Sequence, residues 1–123
     1  MARILVVDDE TLVRRTLRAI LERAGHVVDE ADNGATAMKV FAAETPDLVI
    51  TDIVMPDREG VETIGDLRRA NPDLPIIAIS GGGSIGEDFF LTLAAQFGAN
   101  ATLSKPIRQA DLLKTVEDCL RPA

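Results

Sequence analysis

Short apolar runs alternate with longer amphipathic stretches along the chain. Five runs have the length and composition of buried strands: residues 4–7, 27–28, 48–50, 76–79 and 99–104. Five stretches with apolar residues at helical spacing follow them in turn: residues 11–24, 35–43 and 60–70, a stretch beginning at Ser84, and residues 109–120. Strict alternation of strand and helix predicts a doubly wound α/β fold, in which helices cover both faces of a parallel sheet.

The composition narrows the class of protein. The chain has 123 residues, a formal net charge of −7 and a single cysteine, which fits one acidic domain over residues 1–123. The acidic balance argues against a nucleic-acid surface, and Cys119 alone excludes an internal disulfide and a cysteine-based zinc site. The N-terminal apolar run meets Asp8 too early for a signal peptide, and no apolar run approaches the length of a membrane span. We therefore expect a cytoplasmic location.

Polar side chains follow the predicted strands at their carboxyl ends. They are Asp8, Asp9 and Glu10 after the first strand, Asp52 after the third, Ser80 after the fourth and Lys105 after the fifth. In an open α/β sheet this edge is where ligands bind. If the first and third strands are neighbours, these side chains converge on one small pocket.

The carboxylates of Asp8, Asp9 and Asp52 require a counter-charge in such a pocket. Two carboxylates about 4 Å apart repel each other by roughly 4 kcal/mol at an effective dielectric of about 20. Lys105 supplies one positive charge and cannot neutralise three anions. An all-oxygen ligand set favours Mg²⁺ (or Mn²⁺) over zinc. We expect Asp9 to hold the ion directly and Asp8 directly or through water, beside Asp52, with the backbone carbonyl of Val54 as a further ligand.

A metal ion, a lysine and a hydroxyl around a carboxylate make a site for a phosphoryl group. Asp52 ends a strand, which fixes its backbone, and its carboxylate can act as a nucleophile that forms an acyl phosphate. Lys105 and the Ser80 hydroxyl would contact the phosphoryl oxygens. Asp52, Lys105 and Ser80 are therefore the predicted catalytic residues.

Four motifs occur in a fixed order: Val6-Val7-Asp8-Asp9-Glu10, Asp52-Ile53-Val54-Met55-Pro56 with Gly60, Ile79-Ser80-Gly81, and Lys105-Pro106. As an ordered set they closely resemble the receiver domain of two-component response regulators. The resemblance implies a sheet in the order 2-1-3-4-5 with five flanking helices, in a single receiver domain without an output domain. It implies that Asp52 accepts a phosphoryl group from a histidine kinase or phosphotransfer protein. It also implies the other roles: Asp8 and Asp9 as the acidic metal pair, Ser80 as the switch hydroxyl and Lys105 as the phosphate-contacting lysine.

The chain departs from the usual receiver pattern at Thr102 and at Ile107, since the residue after the Lys-Pro pair is often Phe in receivers. Receivers usually carry Tyr or Phe three residues before the lysine, where this chain has Thr102. Either the glycine loop 81–83 carries the change between states instead, or it is only a loose connection. The resemblance implies that Val54 and Gly82 flank the pocket, and because neither has a donor or acceptor side chain, we expect slow self-hydrolysis of the phosphorylated form. The protein is then a signalling module, and not an enzyme beyond its own phosphorylation and dephosphorylation.

Two surfaces are candidates for partner binding. The first helix carries Arg14, Arg15 and Arg18 away from its apolar stripe. They form either a solvated face, with Arg18 and Glu22 spaced for an ion pair, or, as the resemblance implies, the docking surface for the kinase or phosphotransfer protein. The helix beginning at Ser84 is apolar around most of its girth, which favours a partner or homodimer surface in addition to core contacts. We expect neither direct nucleic-acid binding nor membrane insertion.

Other classes of protein share parts of this pattern. A metal-dependent phosphatase with an aspartyl nucleophile places a second Asp two residues after the nucleophile, where this chain has Val54. A nucleotide-binding protein needs a P-loop, and residues 81–84 lack its Gly-Lys-Ser/Thr ending. A receiver that is never phosphorylated stays a further alternative, as does the choice between a phosphate relay and an output effector.

Overall fold

A computed structural model of the chain describes residues 2–53, 59–80, 92, 95, 96 and 98–121. The elements are, in chain order, β1 (Arg3–Val7), α1 (Thr11–Arg23), β2 (Val27–Ala31), α2 (Gly34–Ala43), β3 (Leu48–Asp52), α3 (Glu59–Ala70), β4 (Ile76–Ser80), β5 (Ala101–Ser104) and α4 (Gln109–Leu120). The predicted strands and the first three and last helices are confirmed. The glycine loop 81–83 and most of the helix predicted from Ser84 lie outside the described residues, although Thr92, Ala95 and Gln96 are helical.

The five strands form one parallel sheet in the order β2-β1-β3-β4-β5, as predicted. Val7 of β1 lies beside Thr51 of β3, and Asp52 of β3 lies beside Ile79 of β4. The carboxyl ends of the central strands therefore stop at the same edge of the sheet. The residues that follow them meet there.

Two apolar layers enclose the sheet. Alternate residues of β1 face opposite sides, so that Leu5 and Val7 belong to one buried cluster while Ile4 and Val6 belong to the other. Helices α2 and α3 cover the first side through Ala37, Phe41, Ile64 and Leu67. Helices α1 and α4 cover the second side through Leu17, Leu21, Leu112 and Val116. Burial on both sides explains why the strands are continuous apolar runs.

Arg68, near the end of α3, holds the segment that leads into β5. Its guanidinium donates to the Gly98 carbonyl at 2.7 Å, to the Asn100 side-chain oxygen at 2.9 Å and to the Pro72 carbonyl at 2.8 Å. The same Asn100 oxygen accepts the Ile76 amide at 2.9 Å, which ties this segment to β4. These contacts fix the position of the segment before β5 and so help to set the register of β5 against β4.

Of the helices that the structure describes, none is long and apolar enough to cross a bilayer.

The one histidine, His26, has a local structural role, because its ring Nδ1 accepts a hydrogen bond from the Ala2 amide at 3.2 Å. Gly25 ends α1 with a φ of +97°, a backbone conformation that favours glycine.

Candidate functional site

Three buried polar side chains lie at the carboxyl edge of the sheet. Asp8, Asp52 and Ser80 are 0%, 1% and 0% exposed. Asp8 follows β1, while Asp52 and Ser80 are the last residues of β3 and β4. The order and register of the strands bring these ends together, which confirms that residues far apart in sequence converge at this edge.

Lys105 joins the carboxylates of this edge. Its ammonium lies 2.8 Å from Asp52 Oδ2, 2.9 Å from Glu10 Oε1 and 3.2 Å from Asp8 Oδ2. Its backbone amide donates to the Ser80 carbonyl at 2.8 Å, which places the lysine directly after β5 beside the end of β4. Burial lowers the pKa of Lys105, but hydrogen bonds to Asp52 and Glu10 outweigh it, and the net pKa is raised. Lys105 is therefore a fixed positive charge in this site.

Burial disfavours the ionised form of the Asp8 carboxylate. Its Oδ1 accepts the Glu10 amide at 2.9 Å, whereas the buried Oδ2 accepts no hydrogen bond from any residue that the structure describes. The Lys105 ammonium forms an ion pair with Oδ2 at 3.2 Å. Burial and, to a lesser extent, the charge of Asp52 raise the pKa of Asp8 to about 6, against the lowering effects of the Glu10 amide and Lys105.

The carboxylates fit a divalent cation. Asp8, Asp9, Glu10 and Asp52 each offer an oxygen, and these oxygens lie within 4.8 Å of one another. Their hard oxygen donors suit a hard divalent cation, and the buried Asp8 Oδ2, which accepts no hydrogen bond from the described residues, has Lys105 as its ion-pair partner. The expected Val54 carbonyl lies outside the described residues.

Glu10 belongs to the site through contacts that its place in the sequence does not predict. The structure places its carboxylate on Lys105 and its amide on Asp8. Its position next to the Asp8-Asp9 pair was the available signal. The contact with Lys105 joins residues 95 positions apart, and spacing alone does not reveal it.

The arginines of α1 differ in their surroundings. Arg18 pairs with Glu22 at 3.3 Å, which confirms the spacing argument, and also with Glu30 of β2 at 2.7 Å. Arg14 donates to Glu30 at 2.8 Å and to the Asp8 carbonyl at 2.8 Å. Arg15 is exposed. Two of the three arginines predicted to form a docking surface therefore hold other parts of the same domain.

Comparison with known proteins agrees with this geometry. Residues 4–117 match the family profile described as the response regulator receiver domain. The chemotaxis protein CheY of Halobacterium salinarum is 34% identical over 117 residues, which cover 95% of each chain. Among solved structures, the chemotaxis response regulator CheY4 of Vibrio cholerae has a TM-score of 0.86 and 29% identity, over 98% of this chain and 99% of that one.

Longer proteins match over part of their length. The response regulator MprA of Mycobacterium ulcerans is 35% identical over 97% of this chain and 50% of its own length. The transcriptional regulator NtrC of Rhizobium meliloti is 37% identical over 91% of this chain and 22% of its own. The chain thus spans nearly the whole length of the Halobacterium CheY protein, half of MprA and less than a quarter of NtrC.

Proposed function

This chain belongs to the response regulator receiver domain family of two-component signalling, and we propose that Asp52 is the side chain through which it carries out the family's role of accepting a phosphoryl group. The supporting observation is the contact of 2.8 Å between the Asp52 carboxylate and the Lys105 ammonium at the ligand-binding edge of the sheet. An Asp52 oxygen attacks the phosphorus of a phosphohistidine. A phosphorus–oxygen bond forms, the phosphorus–nitrogen bond breaks, and the electron pair returns to the imidazole nitrogen.

Two other side chains serve the transferred group in this proposal. Lys105 keeps its positive charge because its pKa is raised, and it neutralises an equatorial oxygen of the phosphoryl group. The Ser80 hydroxyl contacts a second oxygen. Ser80 is buried at the end of β4, directly after Ile79, which is in register with Asp52. The same two groups give the phosphorylated state contacts that the free state lacks.

We assign Asp8, Asp9 and Asp52, together with the Val54 carbonyl, as the ligands of Mg²⁺ or Mn²⁺. The close carboxylate oxygens support this assignment, as does the buried Asp8 Oδ2, which accepts no hydrogen bond from the described residues. When bound, the ion offsets negative charge on the carboxylates and on the phosphoryl oxygens. Asp8 orients its buried carboxylate through the Glu10 amide, and Asp9 contributes from the exposed side.

The protein acts as a signalling module and catalyses only its own phosphorylation and slow dephosphorylation. Val54 and Gly82, which flank the pocket in receivers, bring no side chain that orients a water molecule. The acyl phosphate therefore persists long enough to alter partner binding. We place this exchange in the cytoplasm, where ATP-dependent kinases act.

The phosphodonor protein docks on α1 in this proposal. Arg14, Arg15 and Arg18 give this helix a basic face, of which Arg15 is the exposed member. Next to it lies an apolar groove of about 540 Å³ between α1 and the chain after β5, lined in part by Val13, Ile107 and Leu12, which is 80% exposed. The groove also reaches Glu10 and Lys105, so that a helix in it brings its histidine close to Asp52. A partner or homodimer surface on the stretch from Ser84 is a separate proposal.

Phosphorylation by a small donor tests this function. The wild-type chain incubated with Mg²⁺ and acetyl phosphate gains one phosphoryl group in its intact mass, whereas Asp52→Ala gains none. A metal-free control also gains none. An equal gain in Asp52→Ala would reject Asp52 as the acceptor.

A further inference from the structure

We propose that Arg14, aligned by Glu30, is a positioning residue that holds the backbone of Asp8 and so aims the carboxylates of the metal site. The Arg14 Nη1 donates to the Asp8 carbonyl at 2.8 Å, and its Nε donates to Glu30 Oε1 at 2.8 Å. The inference rests on the proposed function, because the site it supports is the one assigned there to the metal ion.

Asp8 is hydrogen-bonded at three of its four polar groups. Its amide donates to the Ala31 carbonyl at 3.1 Å, its carbonyl accepts from Arg14, and its Oδ1 accepts the Glu10 amide at 2.9 Å. The remaining Oδ2 is buried and accepts no hydrogen bond within the described part of the chain, and the Lys105 ammonium lies 3.2 Å from it as an ion pair. Removing the Arg14 contact frees the turn between β1 and α1, to which Asp8, Asp9 and Glu10 all belong.

Glu30 fixes the direction of the Arg14 guanidinium. It lies on β2 opposite Val6, one residue before the Ala31 carbonyl that binds the Asp8 amide. Its second oxygen accepts Arg18 at 2.7 Å, so that one carboxylate aligns two arginines of α1. The hydrogen bond from Arg18 is the largest influence that lowers the pKa of Glu30, and Glu30 stays ionised at neutral pH.

The contact requires the shape of arginine as well as its charge. A guanidinium presents donors in a planar fork and can bind a carbonyl with one nitrogen and a carboxylate with another. A lysine at position 14 carries the same charge on one nitrogen and cannot reproduce both contacts in the same geometry. The Arg14 side chain is only 13% exposed and the Glu30 side chain 20%, so water has little access to replace the hydrogen bond between them.

Electrostatics and positioning predict opposite effects on metal affinity. Removing a positive charge near an anionic site strengthens cation binding if charge alone matters. Loss of a group that orients metal ligands instead weakens metal binding by about 10- to 100-fold. Arg14→Met therefore separates the two explanations by the sign of the change.

Mg²⁺ affinity, measured by calorimetry, and amide exchange in the metal-free protein test the inference. We expect Arg14→Met to bind Mg²⁺ about 10-fold more weakly than wild type, and Arg14→Lys to be weakened as well. The matched control is Arg23→Met, which removes an exposed arginine from the last turn of the same helix. In the metal-free protein, the Glu10 amide exchanges faster in Arg14→Met, while the remote Val49 amide is unchanged.

The outcomes distinguish this inference from the proposed function. Wild type that binds Mg²⁺, together with Arg14→Met that binds equally or more tightly, overturns the inference and leaves the metal site intact. Wild type that fails to bind Mg²⁺ rejects the metal site, and Glu10 amide exchange then decides the inference alone. If Arg14→Met does not fold, both measurements are made on Arg14→Lys. Unchanged Mg²⁺ affinity together with unchanged exchange of the Glu10 amide in that variant overturns the inference.

Discussion

The Lys105 ammonium lies 2.8 Å from the Asp52 carboxylate, although 53 positions separate the two residues in the chain. The parallel sheet makes this contact, because β3 and β5 flank β4 and end at the same edge. Lys105 also reaches Glu10 and Asp8, so one cation after β5 stabilises three anions at the carboxyl ends of β1 and β3.

Removal of Lys105 should therefore destabilise the metal-free protein. Lys105→Met leaves Asp8 and Asp52 buried without their cation, at an expected cost of about 3 kcal/mol in the free energy of unfolding. Urea unfolding without metal measures this cost. Adding Mg²⁺ should recover part of it in the variant, because the ion supplies the missing positive charge. Equal stability of variant and wild type without metal would contradict the importance of the cation.

Asp8→Asn should stabilise the metal-free protein at neutral pH while weakening Mg²⁺ binding. The pKa of Asp8 is raised from 3.8 to about 6 in the folded state, mainly by burial, so the ionised form opposes folding above that pKa. As the pH falls through about 6, the folded protein takes up this proton before the unfolded chain does, and wild type gains stability.

The pH dependence of the difference between the two proteins checks this sign. Metal-free wild type and Asp8→Asn are unfolded by urea at pH 7.5, 6.0 and 5.0. The stability advantage of the variant should be largest at the highest pH and should shrink toward the lowest. An advantage that is constant with pH would assign the effect to packing instead of to ionisation.

Gly98 and Gly25 form a matched pair for substitution. Both have a positive φ, +112° and +97°, which a side chain adopts at a cost. A Cβ at Gly98 would also lie 3.0 Å from Arg68 Nε, whereas a Cβ at Gly25 meets no atom within 4 Å. We expect Gly25→Ala to cost about 1 kcal/mol and Gly98→Ala more, since Arg68 must shift from its carbonyl contacts. Equal losses in urea unfolding would show that the Arg68 contacts adapt freely.

The proposed docking groove predicts a selective effect on the phosphodonor. Leu12→Ser removes the exposed apolar side chain at the rim of the groove and should slow transfer from a phosphorylated histidine protein by about 10-fold. Phosphorylation by acetyl phosphate should not change, because the small donor needs no docking surface. Val27→Ser removes the other large exposed apolar side chain among the described residues, at the opposite edge of the sheet, and serves as the control. Equal slowing with both donors would place the defect at Asp52 and not at the groove.

The sequence was sufficient for the fold and for the residues of the edge. Continuous apolar runs such as Ile76–Ser80 are buried on both sides, and this pattern predicts a parallel sheet whose ends carry the polar groups. The network of Arg14 with Glu30 was not predicted. Helical spacing reveals pairs such as Arg18 and Glu22 within one helix, but the approach of β2 to α1 is set by packing across the sheet.

The same limit applies to Glu10. Its position after the Asp8-Asp9 pair was visible, but its contact with Lys105 depends on where the chain emerges from β5. Arg68 and Asn100 help to set the register of β5 through contacts between α3, β4 and the segment before β5. Such contacts join residues that no local pattern connects.

The most direct measurement is the chemical location of the phosphoryl group. The protein is phosphorylated with acetyl phosphate and Mg²⁺, reduced with borohydride, digested and sequenced by tandem mass spectrometry. Reduction of an aspartyl phosphate leaves homoserine, which we expect at position 52 and at no other acidic residue. Homoserine at Asp8 or Asp9, with Asp52 unmodified, would contradict the assignment of Asp52 as the acceptor.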